Sequence, residues 1–157
     1  MAELHQFRVV ALWASGSTGI AKSAATLNAI HFARPTAHGG LEGRWTPEDL
    51  LLCAIASCFT TTFRAVTQNS KFDYADLQVE VAGDIDSTDG RNQFSEVLIR
   101  PKLTILRDAD QSQAVALLHQ AAQLSLVSRA LAIGQRFDPH VQVGQLQVIN
   151  SSGIGSF

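Results

Sequence analysis

Apolar and polar positions alternate with a period of two in several separate stretches, the pattern of half-buried β-strands. Phe7 to Trp13 and Ala25 to Ala33 are rich in β-forming residues, and the run Ser15-Gly16-Ser17-Thr18-Gly19 between them has the composition of a turn, so an N-terminal hairpin is predicted. Leu77, Val79 and Val81 alternate with Gln78 and Glu80, and Val97, Ile99, Leu103 and Ile105 alternate around Pro101. With Thr88-Asp89-Gly90 as their turn, these two segments should pair antiparallel, with a bend or bulge near Pro101. Val141, Val143, Leu146 and Val148 predict a last strand or strand pair, bulged near Gly144, before a fraying tail at Ser151-Ser152-Gly153.

The period changes between these strands. At Thr46-Pro47-Glu48-Asp49 a helix opens with an N-cap hydroxyl, a proline at the first helical position and two carboxylates in the first turn. Leu50, Leu51, Leu52, Ile55, Phe59, Phe63 and Val66, with small Ala54, Ala56 and Ser57, then cover most of the circumference, as in a helix buried on nearly all sides. From Asp110 a second helix carries Ala114, Leu117, Leu118, Ala121 and Leu124, with Ser125 on its inward face, and a shorter helical piece follows towards Gly134. The stretch Arg34 to Trp45, with Pro35, Gly39, Gly40 and Gly43, reads as a long loop of the kind that often carries function.

This ββαββαβ-like order is α+β and excludes a Rossmann array. The 157 residues, 46% hydrophobic, suit one domain over 1–157. Its parts are N-terminal strands and loop (1–45), a central helix (46–69), a strand hairpin (76–106), a second helical region (110–134) and a C-terminal strand (139–149). Twelve basic and fourteen acidic residues give a charge of −2 with no block of either sign, which argues against nucleic acid as a partner. No basic-then-apolar stretch opens the chain, so a cytoplasmic location with reduced thiols is expected. The longest uncharged apolar stretch, Leu50 to Phe63, falls short of the roughly 20 residues of a bilayer span, and no membrane association is expected.

Cys53 and Cys58 cannot form a disulfide framework, and no Cys or His pairs fall at zinc-ligand spacing, so no metal and no cofactor are expected. A cysteine acts as its thiolate and needs a nearby cation or donor set to favour that form, together with an access path. The alternative for both is packing, since free cysteine is among the most buried residue types.

The segment from Trp45 through Pro47, Glu48 and Leu50 to Ala56-Ser57-Cys58-Phe59 closely resembles the OsmC/Ohr family of osmotically inducible and organic hydroperoxide resistance proteins. That family's pattern is Pro-Glu-x-Leu, alanine-rich turns, then Ala-Cys-Phe; the separation of ten residues from Glu48 to Cys58 matches it. The resemblance continues through the hairpin to Ala121–Leu131, where the family has Cys-Pro-Val/Ile-Ser before a short helix. It implies antiparallel sheets wrapped around a central buried helix in an intertwined homodimer, with sites at the dimer interface. It also implies a peroxidatic role for Cys58, whose thiolate would attack the O–O bond of an organic hydroperoxide and end as a sulfenic acid.

By the same resemblance Glu48 would orient an arginine beside the thiolate; Arg34, at the end of a predicted strand, is the first choice and Arg44 the second. Trp45, Phe59, Phe63, Leu124 and Ser125 would line the substrate pocket. The family's second cysteine falls at Ser125, whose hydroxyl cannot form a disulfide. Cys53 does not replace it, because residues five apart on a helix point about 140° apart with Cα atoms roughly 8–9 Å apart. The resemblance therefore implies a one-cysteine thiol peroxidase regenerated by an external thiol. The alternatives are a non-catalytic dimeric stress-associated protein binding a small lipophilic ligand, or an oxidant sensor built on Cys58.

Overall fold

Strand β1 (Val9–Ser15) turns back on β2 (Thr18–Ser23), which pairs with β3 (Ile30–Ala33), giving a three-stranded antiparallel sheet in the order β1-β2-β3. The computed structural model describes residues 5–144, and within them the chain forms two compact units that divide after Leu52. The N-terminal turn is tighter than predicted. Only Gly16 and Ser17 make it, with Gly16 at φ 54°, while Thr18 and Gly19 already belong to β2 and the predicted strand from Ala25 begins only at Ile30. Gly19 lies opposite Phe32, and a Cβ there would run into the Phe32 ring, so this glycine is a strand residue covered by an aromatic one.

The long loop contains one 3-10 turn, Thr36–His38, and ends where Trp45 runs beside β3. The Ala33 amide donates to the Trp45 carbonyl at 2.9 Å, which fixes the chain at the start of helix α1 (Pro47–Asn69). The predicted cap is present and reciprocal. The Asp49 amide donates to Thr46 Oγ1 and the Thr46 amide to Asp49 Oδ2, both at 3.1 Å.

In the second unit β4 (Asp76–Thr88) and β5 (Arg91–Ile105) form the predicted antiparallel hairpin, turning through Asp89 and Gly90, both at positive φ. The register shift falls at Asp84/Ile85, not at Pro101, which pairs in register with Val79. Proline is tolerated there because the other edge of β5 changes partner at that point. β6 (Gly134–Phe137) pairs parallel with Glu96 to Ile99, and β7 (His140–Val143) parallel with Lys102 to Ile105, so no ladder spans residue 101 on that side. Part of the predicted C-terminal strand, including Leu146 and Val148, lies outside the described residues.

Helices α2 (Gln111–Leu124) and α3 (Leu126–Ala130) connect β5 to β6. The core combines Val97, Ile99, Leu103 and Ile105 of β5, Ala114, Leu117, Leu118 and Ala121 of α2, and Ile55, Phe59, Phe63 and Val66 of α1. Phe59 rests against Phe137 at 5.7 Å between ring centres, and Phe63 against Tyr74 at 5.4 Å. The all-round burial predicted for α1 is not reached within one chain. One face is covered, while Cys53, Ser57, Thr60, Thr61 and Arg64 are exposed. By length and composition α1 is apolar enough to cross a membrane, a property it shares with core helices such as its own phenylalanine face makes it.

Candidate functional site

Cys58 sits mid-way along α1, half-buried, immediately before the fully covered Phe59. Its neighbours come from the junction of α2 and α3. Ser125 is an extended residue (φ −64°, ψ 108°) that breaks the chain between the two helices, and it holds the N-cap position of α3. A serine there ordinarily accepts a hydrogen bond from the first-turn amides. Ser125 makes no such cap; the Val127 amide donates instead to Cys58 Sγ at 3.5 Å. The sulfur thus takes the acceptor place that a capping oxygen would fill.

Ser125 has no exposed surface, and its Oγ forms no geometrically complete hydrogen bond. Burial pushes the Cys58 thiol up, but donors outweigh it: the Ser125 hydroxyl first, then the Val127 amide, the Thr62 hydroxyl one helical turn away and the Leu126 amide. Their sum holds the thiol below its ordinary range. Among the described residues the groups that favour the thiolate are hydroxyls and amides, all neutral.

The other predicted site residues divide between the two units. Phe59 and Phe63, expected to line a pocket, lie in the core. They have no exposed surface, because their rings fill the space between α1, Tyr74 and Phe137. Leu124 is about half exposed beside Ser125. In the first unit Trp45 is likewise half exposed, and Glu48 Oε2 is shielded from solvent without a hydrogen-bond partner among the described residues. Arg34 follows β3 as predicted and lines, with Arg44, Thr46 and Asp49, a cleft of about 330 Å³. Arg44 reaches only the Gly43 carbonyl at 3.4 Å, and neither arginine forms an ion pair among the described residues. Among those residues no cluster of His, Cys, Asp and Glu is arranged to hold a metal.

The residues that sequence reasoning missed are Val127, Leu126 and Thr62. Two of them act through backbone amides, which leave no trace in side-chain identity. Thr62 had a signal, since it stands four residues after Cys58 on the same helix face.

Residues 38–139 match the family described as OsmC-like protein. The uncharacterized protein YmaD of Bacillus subtilis (strain 168) is 29% identical over 133 residues, covering 81% of this chain and 87% of that protein. Among solved structures, an organic hydroperoxide resistance protein OsmC from Legionella pneumophila superposes with a TM-score of 0.71 at 24% identity, over 90% of this chain and all of the other. An organic hydroperoxide resistance protein from Elizabethkingia anophelis gives 0.72 at 20% identity, over 92% of this chain and all of the other. These likenesses carry the α+β OsmC-like fold.

Proposed function

From the premise that this chain belongs to the OsmC-like protein family, we propose that it reduces organic hydroperoxides through Cys58, in a one-cysteine cycle completed by an external thiol. The observation that carries this reading is the Val127 amide donating to Cys58 Sγ within a set of donors that favours the thiolate. A packing cysteine has no need of such a set. Structural relatives bearing the name organic hydroperoxide resistance protein supply the substrate class.

The chemistry balances with Cys58, water and the external thiol. The thiolate attacks the outer oxygen of ROOH, the O–O bond breaks, and RO⁻ leaves and takes a proton from water, so that Cys58 becomes the sulfenic acid and ROH is released. Two equivalents of external thiol then return the sulfur to Cys–SH, giving a disulfide and water. A resolving step within the chain is absent from this scheme because position 125 is serine and Cys53 lies on a different face of the helix.

A homodimer is part of the proposal. Phe7, Leu12 and Trp13 are exposed by 88%, 56% and 60%, and apolar side chains of this size left uncovered mark an interaction surface. The buried, unpartnered Glu48 oxygen suits a carboxylate whose donor comes from a second copy. Two unpaired thiols fit a reducing, cytoplasmic compartment.

The test is consumption of cumene hydroperoxide with dithiothreitol as reductant. Cys58→Ser should abolish it and Cys53→Ser should leave it intact; full activity in C58S would sink the proposal. Ser125 in place of a second thiol favours one other reading, an oxidant sensor. A sulfenic acid that accumulates while excess thiol is present would mark the sensor.

A further inference from the structure

We infer that the main-chain nitrogen of Val127 acts in place of a resolving thiol: once Cys58 has become a sulfenic acid, this nitrogen closes on the sulfur and forms a sulfenamide that joins α1 to the α2–α3 turn. The step takes up the sulfenic acid of the proposed peroxidase cycle and so rests on that reading, adding how the oxidised sulfur is held until thiol arrives.

Val127 N lies 3.5 Å from Cys58 Sγ, at the edge of the roughly 3–3.5 Å separation of a near-attack pair. The two residues are 69 positions apart, so packing and not chain proximity brings them together. A sulfenic acid condenses with the nucleophile beside it, a thiol giving a disulfide and a backbone nitrogen a sulfenamide. At this turn position 125 is serine, and Cys53 points to a different face of α1, which leaves the nitrogen.

The fold can also spare that nitrogen. Val127 is the second residue of α3, where an amide has no acceptor within the helix. The bonds that hold α3 run from the Arg129 amide to the Ser125 carbonyl at 3.1 Å and from the Leu131 amide to the Ser128 carbonyl at 3.2 Å. Sulfur in place of the Val127 amide hydrogen therefore breaks no helical bond, just as proline is tolerated in a first turn.

The step balances without a further oxidant. The N–S bond forms as the S–O bond breaks, the amide proton leaves with the hydroxyl as water, and the sulfur keeps its oxidation level. External thiol then attacks the sulfur, the S–N bond breaks and the nitrogen regains a proton; a second equivalent releases Cys58 as the thiol and gives a disulfide. While the S–N bond stands, the sulfur is withheld from irreversible conversion to sulfinic acid.

The experiment is the intact mass of Cys53→Ser, which carries one thiol, after one equivalent of cumene hydroperoxide without reductant. The product should be about 2 Da lighter than the untreated chain, one oxygen gained and one water lost, and should resist iodoacetamide. Its tryptic peptides 45–64 and 108–129 should stay joined until dithiothreitol separates them, with fragmentation placing the link at Val127. Under excess hydroperoxide dithiothreitol should recover the thiol of this chain, whereas addition of Val127→Pro, which has no amide hydrogen to lose, should let the sulfur pass to sulfinic acid. Should V127P fail to fold, the joined peptides decide alone. A product about 16 or 32 Da heavier with the two peptides separate, or a link at another residue, overturns the inference. A thiol left untouched by cumene hydroperoxide overturns the peroxidase reading instead; millimolar hydrogen peroxide then serves as oxidant, and the absence of the lighter, joined product overturns the S–N bond as well.

Discussion

The first amides of a helix have no acceptor within it, and at α3 one of them is spent on a sulfur atom carried by another helix. Two expectations follow at this scale. Alkylation of Cys58 should rise with pH through a midpoint below the ordinary thiol value of about 8.5 in the folded protein and return to that value in concentrated urea. The sign follows from the donors: they favour the charged form, so the thiolate persists to lower pH when the fold is intact. Leu126→Pro should fold with little change in melting temperature, because position 126 is the first residue of α3, its side chain is largely exposed, and Ser125 already has the extended backbone that precedes proline. It deletes the Leu126 amide, one of the donors, so the thiol midpoint should rise. An unchanged or lowered midpoint would contradict the donor set.

Among the elements, α1 depends on its start. Thr46→Ala removes the hydroxyl that accepts from the Asp49 amide, leaving the Thr46 amide on Asp49 Oδ2, and should cost about 1 kcal/mol in urea unfolding; no change in midpoint would mean that half of the cap is redundant. That start was legible in the sequence because capping is local, set by Thr46, Pro47 and Asp49 alone. The β4–β5 hairpin was legible for the same reason, since Asp89-Gly90 dictates its own turn. The parallel strand β6 was not. Gln135 and Arg136 break any alternation, and the strand exists only because β5 offers an open edge across a helical crossover. The site followed this division. Cys58 and Ser125 were singled out through the family resemblance, but amide donors have no letter in the sequence. The packing of Phe59 and Phe63 was visible only once Phe137 and Tyr74 were seen against them.

At the scale of the molecule, the face-by-face reading of α1 and the open sheet β1–β3 belong to a chain proposed to work as a pair. Sedimentation should give twice 16.9 kDa, and Trp13→Glu should weaken the dimer, because it places a charge among the exposed apolar side chains of β1. A parent protein sedimenting at 16.9 kDa would refute the pairing.

Pro101 marks where β5 exchanges β6 for β7, and that division bears on the order of folding. The β4–β5 hairpin closes over a two-residue turn, whereas β6 can dock only after α2 and α3 have crossed the sheet, a slower, longer-range closure. The turn that holds Cys58 Sγ lies inside that crossover. In a refolding experiment, rapid-mixing alkylation should therefore find an ordinary thiol while the hairpin is already formed, and the acidic thiol only in the final kinetic phase. Nucleophilic reactivity would then be the last property this chain acquires, withheld from every partly folded form.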